Sequence, residues 1–115
     1  MKYKGSCHCG KIAFEAEGQL EQVLECNCTL CRKRGALFWF VSNAQLTLTT
    51  PKSDMATYTF NTGKLFHRFC PQCGCAPFSE GADNQGNPMA GINVRCLEDV
   101  DLDQLKVVPY DGASR

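Results

Sequence analysis

Three absences narrow what this chain can do. It has no basic surplus: twelve lysines and arginines face twelve aspartates and glutamates, for a formal net charge of zero. A nucleic-acid binder normally carries a basic stripe that neutralises phosphates. The one basic run here is Arg32-Lys33-Arg34, so nucleic acid is disfavoured as a partner. It has no apolar stretch of about 18 residues, the length a membrane-spanning helix needs. The opening Met1-Lys2-Tyr3-Lys4-Gly5 also lacks an apolar run of signal length. Finally, it lacks the even cysteine count usual in extracellular disulfide scaffolds, because its cysteines number nine. Together these absences predict a reduced, cytoplasmic setting, where closely spaced thiols bind metal or do redox work.

What is present reads as one domain over residues 1–115, with a tail at 111–115 expected to fray. Residues 11–17 alternate, with Ile12, Phe14 and Ala16 on one face and charges on the other. Residues 23–26, 46–49, 57–60, 65–69 and 92–94 are further strand candidates, rich in Thr, Val, Ile and Phe. The run at 37–41 (LFWFV) is continuously apolar, which predicts a strand buried on both faces. Turn signals fall at Asn61-Thr62-Gly63, Gly81-Ala82-Asp83-Asn84 and Gln85-Gly86-Asn87-Pro88. Helical turns are expected at 29–34 and at 101–105, where Asp101 can cap. The sum is a mainly β fold: a sandwich, a barrel or a small folded sheet. With so much loop, metal cross-links matter. A structural zinc contributes roughly 10–16 kcal/mol in small peptides, against about 5–15 kcal/mol of net stability for a typical domain.

Seven of the nine thiols fall into hooks. Cys7-His8-Cys9 and Cys70-Pro71-Gln72-Cys73 each offer two ligands and are each followed by a glycine, Gly10 and Gly74. In extended chain, residues i and i+2 point the same way, so Cys7 and Cys9 can share one ion. The Cys70-x-x-Cys73 pair is the usual zinc knuckle. Together they give four thiolates, the set of a closed structural zinc; redox dithiols or disulfides are the competing readings. The third group, Cys26-Asn27-Cys28-Thr29-Leu30-Cys31, brings three sulfurs to one ion without help from elsewhere. Three ligands leave a position for water or substrate. Cys75, Cys96, His67 and His8 are the candidates for a fourth ligand, and an open site is favoured over a closed one.

Arg32 and Lys33 follow the triplet directly. They can offset its negative charge and attract a substrate carboxylate, although a solvated helix face is the plainer account. His8 should point to the surface. His67 reads as a structural histidine, and Cys75 and Cys96 as small buried hydrophobes. Phe38, Trp39 and Phe40 are core first, and the sequence does not say which of their faces is lined. No Ser/His/Asp set or carboxylate pair competes for a catalytic role.

These motifs resemble the glutathione-dependent formaldehyde-activating enzyme family, also called the GFA or CENP-V/GFA domain. The elements that carry the resemblance are Gly5-Ser6-Cys7-His8-Cys9-Gly10, the triplet continuing into Arg32-Lys33, Arg68-Phe69-Cys70-x-x-Cys73-Gly74, and Ile92-Asn93-Val94-Arg95-Cys96-Leu97. The resemblance implies an Mss4-like β-fold, or β-tent, and two zinc ions per chain. One would be structural, on Cys7, Cys9, Cys70 and Cys73; the other catalytic, on Cys26, Cys28 and Cys31. It also implies a carbon–sulfur lyase-type enzyme that joins glutathione to formaldehyde as S-hydroxymethylglutathione. Cys75 stands where the family more often has a small polar residue. The alternatives are a non-catalytic zinc-binding interaction module of the same fold and a cysteine-rich metal or redox buffer.

Overall fold

The structure is a computed structural model that describes residues 1–60 and 63–114. Among these, ten strands form two sheets. The smaller sheet is antiparallel, with β1 (Lys2–Ser6), β2 (Ala13–Glu17) and β5 (Leu46–Leu48) in the order β1-β2-β5. The larger comprises β3 (Gln22–Cys26), β4 (Phe38–Ser42), β6 (Ala56–Tyr58), β7 (Phe66–Phe69), β8 (Phe78–Ala82), β9 (Pro88–Asn93) and β10 (Lys106–Tyr110). Its order is β10-β3-β4-β9-β8-β7-β6. Every pair is antiparallel except β10 with β3, which run parallel at one edge. A single α-helix, α1 (Thr29–Arg34), and five short 3-10 turns complete the described chain.

The small sheet covers one face of the large one, and two-residue periodicity decides what each strand contributes. Phe14 and Ala16 of β2 are buried against Trp39 and Val41 of β4, Phe78 of β8, and Ala90 and Ile92 of β9. Two edge-to-face ring pairs join the layers: Phe14 with Phe78 at 5.8 Å and Tyr3 with Trp39 at 5.6 Å between centroids. Gly5 is required at its position, because a Cβ there would overlap the Phe14 ring. Fully burying side chains of this size contributes about 1.5–3 kcal/mol each. The interlayer contact is thus the apolar core of the fold.

The mainly β class and both helical turns match the sequence reading. Asp101 accepts from the Asp103 amide and caps Leu102–Gln104. Three expectations need correction. The strand at 37–41 is not buried on both faces: it alternates, and Phe40 is 51% exposed while Trp39 is 6% exposed. Gly81 and Ala82 lie in β8 rather than in a turn, and the hairpin turn closes on Asp83, which accepts from the Gln85 and Asn87 amides. The tail is not loose between Asp111 and Ser114. It forms a 3-10 turn at Gly112–Ser114 and returns to Asn27. Of the signal at Asn61-Thr62-Gly63, the first two residues lie outside the described residues, as does Arg115.

Candidate metal centres

The seven hook cysteines gather into two groups. The Sγ atoms of Cys7, Cys9, Cys70 and Cys73 all lie within 4.8 Å of one another, as do those of Cys26, Cys28 and Cys31. All nine cysteines are free thiols.

The four-sulfur group joins the loop after β1 to the loop after β7. Its two hooks are shaped alike. Gly10 and Gly74 take left-handed backbone, at φ 84° and 83°, a region glycine adopts without steric cost. Backbone amides then reach the sulfurs. Ile12 donates to Cys7 Sγ at 3.3 Å, and Gln72 and Cys73 donate to Cys70 Sγ at 3.3 and 3.4 Å. The sulfurs of Cys7 and Cys9 are 3.7 Å apart and those of Cys9 and Cys70 3.5 Å. A tetrahedron with metal–sulfur bonds of about 2.3 Å has edges of roughly 3.8 Å, so this group fits a zinc ion.

Its ionisation makes the same point. Amides of Cys75 and Cys9 hold the Cys73 thiol down at about 5. Burial opposes ionisation at Cys70, yet the Cys73 and Gln72 amides outweigh it and the thiol is lowered. At Cys9 the Lys11 amide works downward, but burial and the neighbouring sulfurs prevail and push it up to about 11. Four thiols this close cannot all ionise unaided, and a divalent cation removes the conflict. Cys75 and Cys96, both half-buried, belong to this end of the molecule. Burial, then Cys75, Cys7 and Cys73, raise Cys96 to about 11.

The three-sulfur group sits where β3 runs into α1. Cys26 ends the strand and Cys28 caps the helix, accepting from the Cys31 amide at 3.4 Å; the Cys28 amide donates to Cys26 Sγ, also at 3.4 Å. At the far end of α1, Gly35 at φ 71° stops the helix and returns its N–H to the Cys31 carbonyl at 2.8 Å. Arg95 Nε donates to the Gly35 carbonyl at 3.1 Å and ties the helix end to the turn after β9. Burial opposes ionisation at Cys28, but the Cys31 amide and the other two sulfurs lower it overall. Cys31 is pushed up, first by burial and then by the Cys28 sulfur and the charge of its neighbours. Among the described residues, no fourth histidine, cysteine or carboxylate joins these three. His8 is exposed, beside the other group.

The chain end closes one side of this site. Asn27 Nδ2 donates to Asp111 Oδ1 at 3.1 Å, and Asn27 Oδ1 accepts from the Ala113 amide at 2.9 Å. Gly112 lies so close that a Cβ there would overlap Cys26 Sγ.

Cys26 and Cys31 also form walls of two cavities. A recess of about 400 Å³ has mixed walls, with Glu25, Asn27, Arg32 and Asp111 beside Ala36 and Pro109. Lys33 is exposed and is not among its lining residues. The second cavity, of about 390 Å³, also reaches Cys28 and lies on the outer face of the large sheet. The aromatic run is thereby divided: Trp39 faces the core, and Phe38 and Phe40 line this cavity. His67 lines it too. His67 Nδ1 pairs with Ser79 Oγ at 2.9 Å, whereas its Nε2 is buried without a partner among the described residues. The structural role expected for His67 is therefore half filled. Arg95, Gly112 and the cavity floor are what sequence reasoning missed; Arg95 stands inside the Ile92–Leu97 motif, which could have flagged it.

A mainly β domain carrying two cysteine clusters able to hold metal ions is the class that fold and site define. Residues 2–109 match the model of the family described as glutathione-dependent formaldehyde-activating enzyme, GFA. The chain belongs to that family. It is also similar to a Rhodobacter sphaeroides protein of known crystal structure, with 30% sequence identity and a TM-score of 0.79. That match covers 96% of this chain and 99% of the other.

Proposed function

We propose that this protein is a zinc-dependent, carbon–sulfur lyase-type enzyme that adds a small glutathione-like thiol to an aldehyde such as formaldehyde. In this reading the fold is of the Mss4-like, β-tent kind and works in a reducing compartment such as the cytoplasm. Cys7, Cys9, Cys70 and Cys73 hold a structural zinc; Cys26, Cys28 and Cys31 hold a catalytic one. The observation that carries the reading is the unequal pair of clusters: four sulfurs at one, and three at the other on the walls of two cavities.

Zinc on three thiolates supplies a place where an incoming thiol loses its proton readily and is held as thiolate. The chain's own residues supply the rest. The amides of Cys28 and Cys31 donate to the ligand sulfurs and fix their orientation. Arg32, the basic residue on the recess it shares with Glu25 and Asp111, is the group offered to a carboxylate of the thiol substrate. The adjoining apolar cavity offers a place for the carbonyl compound beside the cysteines. In the reaction the thiol sulfur bonds to the carbonyl carbon, the C=O π bond breaks, and the thiol's proton ends on that oxygen.

Glutathione titration of purified protein, followed by calorimetry and by metal content, tests the proposal. Two zinc ions per chain and saturable glutathione binding that Cys31→Ser abolishes are expected. A protein that keeps two zincs yet ignores glutathione would instead be a zinc-binding interaction module of this fold.

A further inference from the structure

Formaldehyde is little larger than a water molecule, which occupies about 30 Å³ of liquid. The cavity beside the three cysteines is about 390 Å³, within the range of sites for whole organic ligands. Its construction is deliberate. One cross-strand row on the outer face of the large sheet runs Phe40, Gly91, Ser79, His67 from β4 to β7. The glycine leaves the floor bare, and a Cβ on Gly91 would stand 3.1 Å from the Phe40 ring and 3.4 Å from that of Phe38. Gly81 does the same on β8, where a Cβ would come within 2.5 Å of Leu65. Phe60 stacks on His67 at 5.6 Å. The two carboxylates in the lining are committed elsewhere: Glu80 to Lys52 and Arg68, and Asp83 to its own turn. An aromatic chamber remains, with the three clustered cysteines at one side and the buried ring of His67 under Phe60.

We infer that the carbonyl substrate of this protein is an apolar aldehyde of aryl or medium-chain alkyl type, held between Phe38, Phe40 and Phe60. This rests on the thiol-addition reading above and narrows its substrate class. The product is an apolar hemithioacetal: the thiol sulfur joins the carbonyl carbon and the thiol proton passes to oxygen. The two cavities share Cys26 and Cys31, so the polar thiol and the apolar aldehyde approach the same sulfurs from different sides.

The test has a binding arm and a chemical arm, both on the zinc-loaded chain. In the first, benzaldehyde is titrated without thiol while the backbone amide signals of Gly81 and Gly91 are followed by NMR. Saturable shifts are expected, about tenfold weaker in Phe40→Ala. In the second, S-benzylglutathione should bind at least tenfold more tightly than S-methylglutathione, and Phe40→Ala should erase that preference. If glutathione binds but benzaldehyde moves neither glycine, the apolar-substrate assignment is wrong and the thiol site stands. If benzaldehyde shifts both glycines while glutathione does not bind, the chamber stands and the thiol-addition reading fails. If Phe40→Ala changes only the oligomeric state, the aromatic wall is an interface between copies and the assignment is overturned.

Discussion

The two cysteine clusters are made from the same hooks and differ in where they sit. The group of Cys7, Cys9, Cys70 and Cys73 ties together segments 61 residues apart, with Cys7 and Cys70 at 2% and 0% exposure inside the main core. The group of Cys26, Cys28 and Cys31 is local, spread over six residues at one strand–helix junction, and opens on two cavities. A metal bound between distant segments contributes to folding, because it closes a long loop. One bound within a single turn contributes little to the rest of the chain and leaves its binding energy for a ligand.

The sharpest way to break this contrast is to remove one ligand from each. Cys73→Ser should cost most of the stability, since a structural zinc of roughly 10–16 kcal/mol exceeds the margin of a typical domain. Insoluble or unfolded protein is the expected outcome, read by circular dichroism. Cys31→Ser should lose one zinc and all thiol binding with its melting temperature little changed. Equal loss of fold in both would remove the division between the sites.

A smaller effect separates closure from ligation. Gly112→Ala places a methyl on Cys26 Sγ without touching the four-sulfur group. Zinc affinity at the three-sulfur site should fall by about tenfold or more, measured by competition with a chromophoric chelator, while the other zinc stays bound. Arg95→Met removes the hydrogen bond to the Gly35 carbonyl. It should cost about 0.5–1 kcal/mol in denaturant unfolding and loosen α1, hence the open site before the closed one.

The smallest effect concerns the ion pairs beside the chamber. Burial works against the Glu80 carboxylate, but Arg68 and Lys52 outweigh it and hold it below the ordinary value of 4.5. A depressed carboxylate contributes stability above its unfolded pKa, and that contribution disappears as pH falls through the folded value. Glu80→Gln should therefore lower the melting temperature slightly at neutral pH, and the gap from the parent should close below about pH 4.5. A gap independent of pH would mean that these pairs do not carry the charge balance at the chamber's edge.

The grouping of sulfurs within each hook was legible because ligand spacing is a local property, whereas the pairing of Cys7 and Cys9 with Cys70 and Cys73, across 61 residues, rested on the family resemblance. The i, i+2 pairs and the Cys-x-x-Cys turns meet as their spacing predicts, and the structure brings together each of the two expected sets. The helix at Thr29–Arg34 followed from its position straight after the first two cysteines of the triplet. The chamber was not legible, because it depends on strand register: Phe40 meets Gly91 and Gly91 meets Ser79 only once three strands are paired. The apolar run at 37–41 reads as buried throughout since a cavity-lining phenylalanine and a core one are the same letter. β8 carries glycine and glutamate, and β10 has Pro109 on an edge, so neither has ordinary strand composition. Gly112 lies 86 residues beyond Cys26 in sequence, and no local rule couples them.

Zinc X-ray absorption on the loaded protein, before and after glutathione, tests the central claim most directly. Four sulfurs at one site and three at the other predict an average of about 3.5 sulfurs per zinc, rising toward 4 when the thiol binds. An average of 4 from the outset, unmoved by glutathione, would contradict it.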